Sequence, residues 1–154
     1  KNLDKKVISK MTVKFPSQDY GWNMEERFRD SVPNINIYKG NKSAQILMKS
    51  AKITICSYNG TFFLESLSNN IPTIIFLDKE YCELSKEAVP MFNILKEHFI
   101  FHETSQSAAN YLNFIYDKVE EWWNDKNLQD SLEKFNNLFC RNFQIGKLIS
   151  SLNE

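Results

Sequence analysis

The sequence predicts an α/β domain of Rossmann-like type: a parallel sheet with helices on both faces. Three observations carry this. Short β-rich runs alternate with helix-period runs along most of the chain. One of them, residues 72–77, is an apolar run broken only by Thr73, as expected of a strand covered on both faces. Strand–helix–strand order with short connections yields parallel pairing, because the helix carries the chain back to the starting edge.

The elements follow in order. Residues 1–10 read as a polar opening. Residues 11–15 alternate as a strand and stop at Pro16, and Asp19-Tyr20-Gly21-Trp22-Asn23 is a turn. Residues 24–30, with Glu25, Glu26, Arg27 and Arg29, make a short polar helix that Pro33-Asn34 ends. Ile35, Ile37 and Tyr38 mark a second strand. Ser43 then caps a helix to Ser50, with Ile46, Leu47 and Ala51 inward. Residues 53–56 form a third strand, 61–69 a helix with Phe62, Phe63, Leu64 and Leu67 apolar, and 72–77 a fourth strand. Pro90 is expected to break residues 81–97 into one or two short helices near Val89. Residues 99–102 are a fifth strand. Ser105 caps a long helix with Ala108, Ala109, Leu112, Ile115, Tyr116 and Val119 on one side. Trp122-Trp123 end it, residues 128–143 form a last helix, and the tail could form another. This divides the chain into a Rossmann-like domain over residues 1–125 and a helical extension over 126–154.

Composition narrows the function. The 154 residues suit one domain, and 42% hydrophobic content allows a packed core. Lys+Arg and Asp+Glu both number 19, so the basic footprint of a nucleic-acid binder is missing. Cys56, Cys82 and Cys140 are odd in number and widely spaced, which argues against a zinc site or a disulfide framework and fits a reducing, cytoplasmic setting. No apolar stretch nears the ~20 residues of a membrane span. The chain opens at Lys1 without Met and reads as a piece of a longer protein.

The chemistry-bearing segment is the turn after the third strand. In open parallel sheets, ligands sit beyond the carboxyl ends of the strands. Ser57-Tyr58-Asn59-Gly60-Thr61 lies there. Gly60 can take a positive φ and lets a ligand approach the backbone closely. The amides of Thr61, Phe62 and Phe63 open a helix whose dipole favours an anion such as a phosphate. Glu65 falls one turn later on the same face. It could accept hydrogen bonds from sugar hydroxyls such as those of a ribose. By spacing alone, a tight turn followed by a solvated glutamate fits equally well.

The run Ile55-Cys56-Ser57-Tyr58-Asn59-Gly60-Thr61-Phe62-Phe63-Leu64-Glu65, continuing through Pro72 to Phe76, resembles the donor-site segment of GT-B transferases. Asp19-Tyr20-Gly21-Trp22, Glu83-Leu84, Ile100-Phe101-His102-Glu103-Thr104, Ser107-Ala108-Ala109 and Val119-Glu120-Glu121-Trp122-Trp123-Asn124 resemble a family of transferases of bacterial surface-carbohydrate (O-antigen-type) biosynthesis. The resemblance covers roughly Phe15 to Arg141. It implies the C-terminal, donor-binding half of a GT-B enzyme, with Gly60 and Thr61 at the phosphate turn and Glu65 on the donor ribose. It also implies an N-terminal acceptor-binding domain outside this chain that holds the catalytic base, so no catalytic residue is assigned. A nucleotide-sugar or similar activated donor would be a substrate, with no cofactor and no metal. Location would be cytoplasmic, with peripheral contact at the inner membrane face through the full-length protein. Three residues depart from the wider class: Asn59 and Asn70 stand at glycine positions and Ser66 at an alanine position.

Asp19, Tyr20, Trp22 and Glu83 follow predicted strands, His102 ends one, and all five are candidate cleft residues. Lys14, Arg27 and Arg29 could neutralise a diphosphate. Trp122-Trp123 suit packing better than sugar binding, and Arg141 could face the absent half. Two other readings share this pattern. One is a sugar-nucleotide epimerase or glycerol-phosphate-type phosphotransferase of the same architecture. The other is a non-catalytic α/β module, in which Trp122-Trp123 or the last helix would bury the Gly60 turn.

Overall fold

The computed structural model describes residues 2–16, 18 and 20–140. Asp19, Arg141 and the predicted tail helix lie outside the described residues. The element order is α1 (Lys5–Lys10), β1 (Thr12–Val13), α2 (Met24–Ser31), β2 (Asn36–Ile37), α3 (Ala44–Ser50), β3 (Thr54–Cys56), α4 (Thr61–Ser68), β4 (Thr73–Phe76), α5 (Val89–Glu97), β5 (Phe101–His102), α6 (Ser105–Ile115), α7 (Val119–Trp123) and α8 (Lys126–Phe139). This is the expected Rossmann-like α/β fold, with every strand pair parallel.

The strands form two ladders, β1-β2 and β3-β4-β5, instead of one sheet. In the larger ladder Thr54 pairs with Thr73 and Ile75 with Phe101, so β4 is central. Successive side chains leave opposite faces of a strand. Cys56, Ile75, Leu77 and Phe101 therefore pack with Phe63 and Leu67 of α4, Phe92 and Leu95 of α5, and Leu128, Leu132 and Phe135 of α8. Ile74, flanked by Ile55 and Phe76, meets Val7 of α1, Ala108, Leu112 and Ile115 of α6, and Val119. Helices cover both faces, and the core of residues 1–125 extends into α8.

Several local expectations are corrected. The opening segment is helical: Val7 is buried, and Asn113 fastens the segment by accepting from Asp4 N (2.9 Å) and donating to Asn2 O (2.9 Å). Pro90 does not break a helix but opens one, α5, in whose first turn its missing N–H costs nothing. The cap of α6 is Thr104, whose hydroxyl accepts from Ser107 N at 3.1 Å, so the helix starts with Ser105 inside it. Ser43 does cap α3, through Ile46 N. The buried residue of α3 is Met48, while Ile46 is 53% exposed. Positions 44, 47 and 48 share the inward stripe, and 46 falls outside it. Val119 and the tryptophans belong to α7, a separate short helix that joins the two cores: Val119 enters one and Trp123 the other.

Two helices end in the same reciprocal motif. After α4, Asn70 N–H bonds Leu67 O and Ile71 N–H bonds Ser66 O, with Asn70 at φ +53°. After α5, Phe99 N–H bonds Lys96 O and Ile100 N–H bonds Leu95 O, with Phe99 at φ +58°. Both are Schellman caps, which favour glycine at the left-handed position. Asparagine tolerates that conformation. A phenylalanine there costs roughly 1–2 kcal/mol. Its ring recovers part of this by stacking on Tyr111, 4.5 Å between centroids at 15°. Such a pair adds about 0.5–1.5 kcal/mol beyond area burial.

Candidate functional site

Parallel pairing puts the carboxyl ends of β3, β4 and β5 on one rim, with residues 57–60, 77–88 and 103–104 leaving it. Ser57, Tyr58 and Asn59 are exposed there, and Gly60 is the N-cap of α4. No side chain caps this helix start. A helix leaves its first amides without intrahelical partners, so Thr61, Phe62 and Phe63 present N–H groups at the rim.

Gly60 is not in the left-handed region. Its φ is −137° and ψ 175°, extended backbone open to any residue, so the positive φ that glycine permits is not used here. Glycine lets the neighbouring ring lie close, and a side chain here would displace that exposed ring. A Cβ at position 60 would meet Tyr58 Cδ2 and Cζ at 3.0 Å. The Tyr58 ring thus lies over the start of α4 while remaining 63% exposed.

Glu65 sits one turn into α4 and is half-buried. Its Oε2 accepts from Gln45 Nε2 at 3.0 Å. This bond joins the helix after β2 to the helix after β3, and so connects the two ladders at the rim. Oε1 has no partner among the described residues.

The other candidates separate into two groups. Tyr20 and Trp22 follow β1 and are 49% and 64% exposed, stacked on each other at 5.2 Å and 27°. Glu83 is exposed in the segment after β4, near Tyr81 in sequence. His102 is different, because it is buried at 4% exposure. Its Nε2 bonds Phe99 O at 2.9 Å and its Nδ1 bonds Ser107 Oγ at 2.8 Å. The carbonyl can only accept, so Nε2 carries the proton and Nδ1 accepts from the hydroxyl. Both ring nitrogens are occupied in the interior, and the ring has no free nitrogen to offer the rim.

Burial pushes the His102 pKa below its ordinary 6.5, with the bond to Phe99 O opposing weakly. The unfolded chain then takes up a proton before the folded one does. Stability from this group is complete above about pH 6.5 and is lost as pH falls through the lower folded value. Urea midpoints measured from about pH 7.5 to 5 should fall in the native chain and fall less in His102→Gln. Equal slopes for the two proteins would sink the assignment.

Of the rim cations, Arg29 pairs with Glu25 (3.2 Å), which also holds Lys39, and Lys14 lies over the Tyr38 ring at 5.4 Å. Arg27 is exposed and has no ion-pair partner among the described residues. Sequence reasoning missed Glu103, which binds Lys79 at 2.6 Å and also Lys96. These lysines hold its carboxyl below the ordinary value and fasten the segment after β4 and the helix α5 to the end of β5. It missed Gln45 as well, since a partner 20 residues away leaves no local signal.

The tryptophan pair lies away from Gly60. Trp122 Nε1 donates to His98 O at 2.9 Å, and Trp123 Nε1 donates to Asn70 O (3.1 Å) and Oδ1 (2.9 Å), beyond the opposite end of α4. Among the described residues, no group of three or more His, Cys, Asp or Glu could hold a metal ion, and no helix is long and apolar enough to cross a membrane.

A Rossmann-like α/β domain with an uncapped helix start and a carboxylate one turn behind it, on the carboxyl rim of its strands, is the class of protein that fold and site define. The chain belongs to the LIC12162 family transferase group, whose family model matches residues 1–148. No curated protein and no solved structure matches it.

Proposed function

We propose that this chain is the donor-binding domain of a GT-B-type transferase, a glycosyltransferase acting in surface-polysaccharide biosynthesis. Membership of a transferase family supports the class of reaction. The observation that carries the donor site is the N-terminus of α4, which lacks a side-chain cap immediately after β3, with Glu65 one turn into the helix. The diphosphate of an activated donor meets the amides of Thr61, Phe62 and Phe63 and the Thr61 hydroxyl. These groups favour the charge that develops on the leaving diphosphate.

Glu65 accepts hydrogen bonds from the nucleoside sugar through the oxygen that Gln45 leaves open. Tyr58 moves off Gly60 to admit the diphosphate. Ser57 and Asn59 border the turn, and Tyr20, Trp22 and Glu83 line the approach. The catalytic base is supplied by an acceptor-binding domain outside this chain. The domain works in the cytoplasm and reaches the inner membrane face through that larger protein.

A ligand that binds only the folded state stabilises it by about 2.7 kcal/mol at a hundredfold excess over Kd. A panel of UDP, GDP, CDP, ADP and CMP-sugars should therefore contain at least one nucleotide that raises Tm by several degrees. Glu65→Ala should reduce that rise without removing the folded transition. A panel in which no nucleotide shifts Tm would remove the donor-site reading.

A further inference from the structure

We infer that a second site, at the opposite edge of the sheet from the donor rim, binds an organic cation bearing an alkylammonium or guanidinium group. A cleft of about 410 Å³ opens between the end of α5, the end of α6 and α7. Its walls include Phe99, Tyr111, Phe114 and Trp122. Phe114 is 70% exposed and Phe99 51%, although both are large apolar rings. Tyr111 connects the set: it stacks on Phe99, meets Trp122 edge-on at 5.7 Å and approaches Phe114 at 6.2 Å. The result is a continuous aromatic surface along the cleft.

The charges around it select the sign of that ligand. Glu97, Glu121 and Asp125 line the cleft, with Lys118 and His98 as its basic side chains, and His98 Nε2 is engaged by Ser131 Oγ at 2.9 Å. Asp125 is engaged as the cap of α8 through Leu128 N. Neither Glu97 nor Glu121 has an ion-pair partner among the described residues. Aromatic faces attract cations through the negative potential of the ring, and flanking carboxylates add to it. Lys118 already uses the surface in this way, with its ammonium 5.9 Å from the centre of the Phe114 ring. An incoming cation takes over the position of that ammonium. An anion would meet two uncompensated carboxylates.

The test uses the whole chain and follows the Trp122 indole N–H by NMR, assigned through Trp122→Phe. Choline and a blocked arginine (N-acetyl-arginine methylamide) are titrated separately at constant ionic strength. The control is 3,3-dimethylbutan-1-ol, the uncharged carbon analogue of choline. At least one cation should shift the indole signal saturably, and the neutral alcohol should not. Choline binding identifies a small free cation; binding by the blocked arginine alone identifies a side chain presented by a polypeptide.

Glu97→Gln with Glu121→Gln should weaken binding roughly tenfold. Lys118→Met should strengthen it several-fold, because the internal competitor is gone; a merely structural role of the cleft would not produce this gain. Unchanged dispersion of the other indole signals verifies the fold of each variant. Failure of both cations, an equal response to the neutral alcohol, or weaker cation binding in Lys118→Met overturns the inference. None of these results depends on nucleotide binding at Gly60.

Discussion

Phe135→Ala is expected to destabilise the domain by about 3–5 kcal/mol, as deletion of a wholly buried aromatic ring does. Phe135 is 0% exposed, and its ring meets Phe92 at 5.8 Å and 82°. Phe92 in turn packs edge-on against Phe63 of α4 (6.0 Å) and Phe101 of β5 (5.0 Å). One residue of α8 thus closes an aromatic cluster that reaches α4, α5 and the sheet. Alanine would leave a cavity that these rings cannot refill without abandoning their edge-to-face geometry. Neighbouring polar contacts add to the attachment of α8: Asn136 Nδ2 donates to Leu67 O at 3.1 Å and Gln129 Nε2 to Trp123 O at 2.6 Å. Chemical denaturation at fixed pH reads the effect as a lowered midpoint with an unchanged slope. A loss under about 1 kcal/mol would mean that α8 is detachable from the domain.

Thr73→Val is expected to cost about 1–3 kcal/mol, although it exchanges a hydroxyl for a methyl of similar size. Thr73 and Ser66 are both 0% exposed, and their hydroxyl oxygens are 2.6 Å apart. Thr73 Oγ1 also lies 2.7 Å from Ile71 O. A carbonyl only accepts, so the Thr73 proton goes to Ile71 and Ser66 must donate to Thr73. Valine removes the acceptor for Ser66 and the donor for Ile71 together, stranding two buried polar groups. Ser66→Ala removes one donor and leaves Thr73 still bonded to Ile71, so it should cost less. Placed on top of Thr73→Val, Ser66→Ala should recover part of the loss, because the stranded hydroxyl is gone. A double-mutant cycle measures this coupling. Strictly additive costs would show that the hydroxyl chain contributes nothing beyond its separate parts.

The same chain of bonds accounts for a serine in the core. Serine at position 66 is stable in the core because β4 supplies a threonine opposite it. Asparagine at position 70 occupies the left-handed cap of α4, and its carbonyl and side chain both accept from Trp123. Each of the two residues has its partner in a different element.

Element types were legible wherever periodicity was strong. The apolar run before Leu77 is the central strand, and the spacing of Leu112 and Ile115 marks the inward face of α6. Local chemistry also read correctly at Ser43, where hydroxyl and amide are three residues apart. The candidate site was legible as a turn and a helix start. The conformation of Gly60 was not, because glycine adopts positive and extended φ alike and the letter in the sequence does not distinguish them.

By itself, then, the sequence determined the alternation of strand and helix, the parallel pairing that follows from it and the position of the turn at residues 57–61. These depend on local periodicity and on connections too short for other topologies. Tertiary structure decided that His102 turns into the core with both ring nitrogens bonded, that Glu65 shares an oxygen with Gln45, and that Phe99 tolerates a left-handed backbone by stacking on Tyr111. It also decided that α8 completes the core. Each of these outcomes is a contact or a burial between residues from different elements, and such pairings exist only once packing has brought distant segments together.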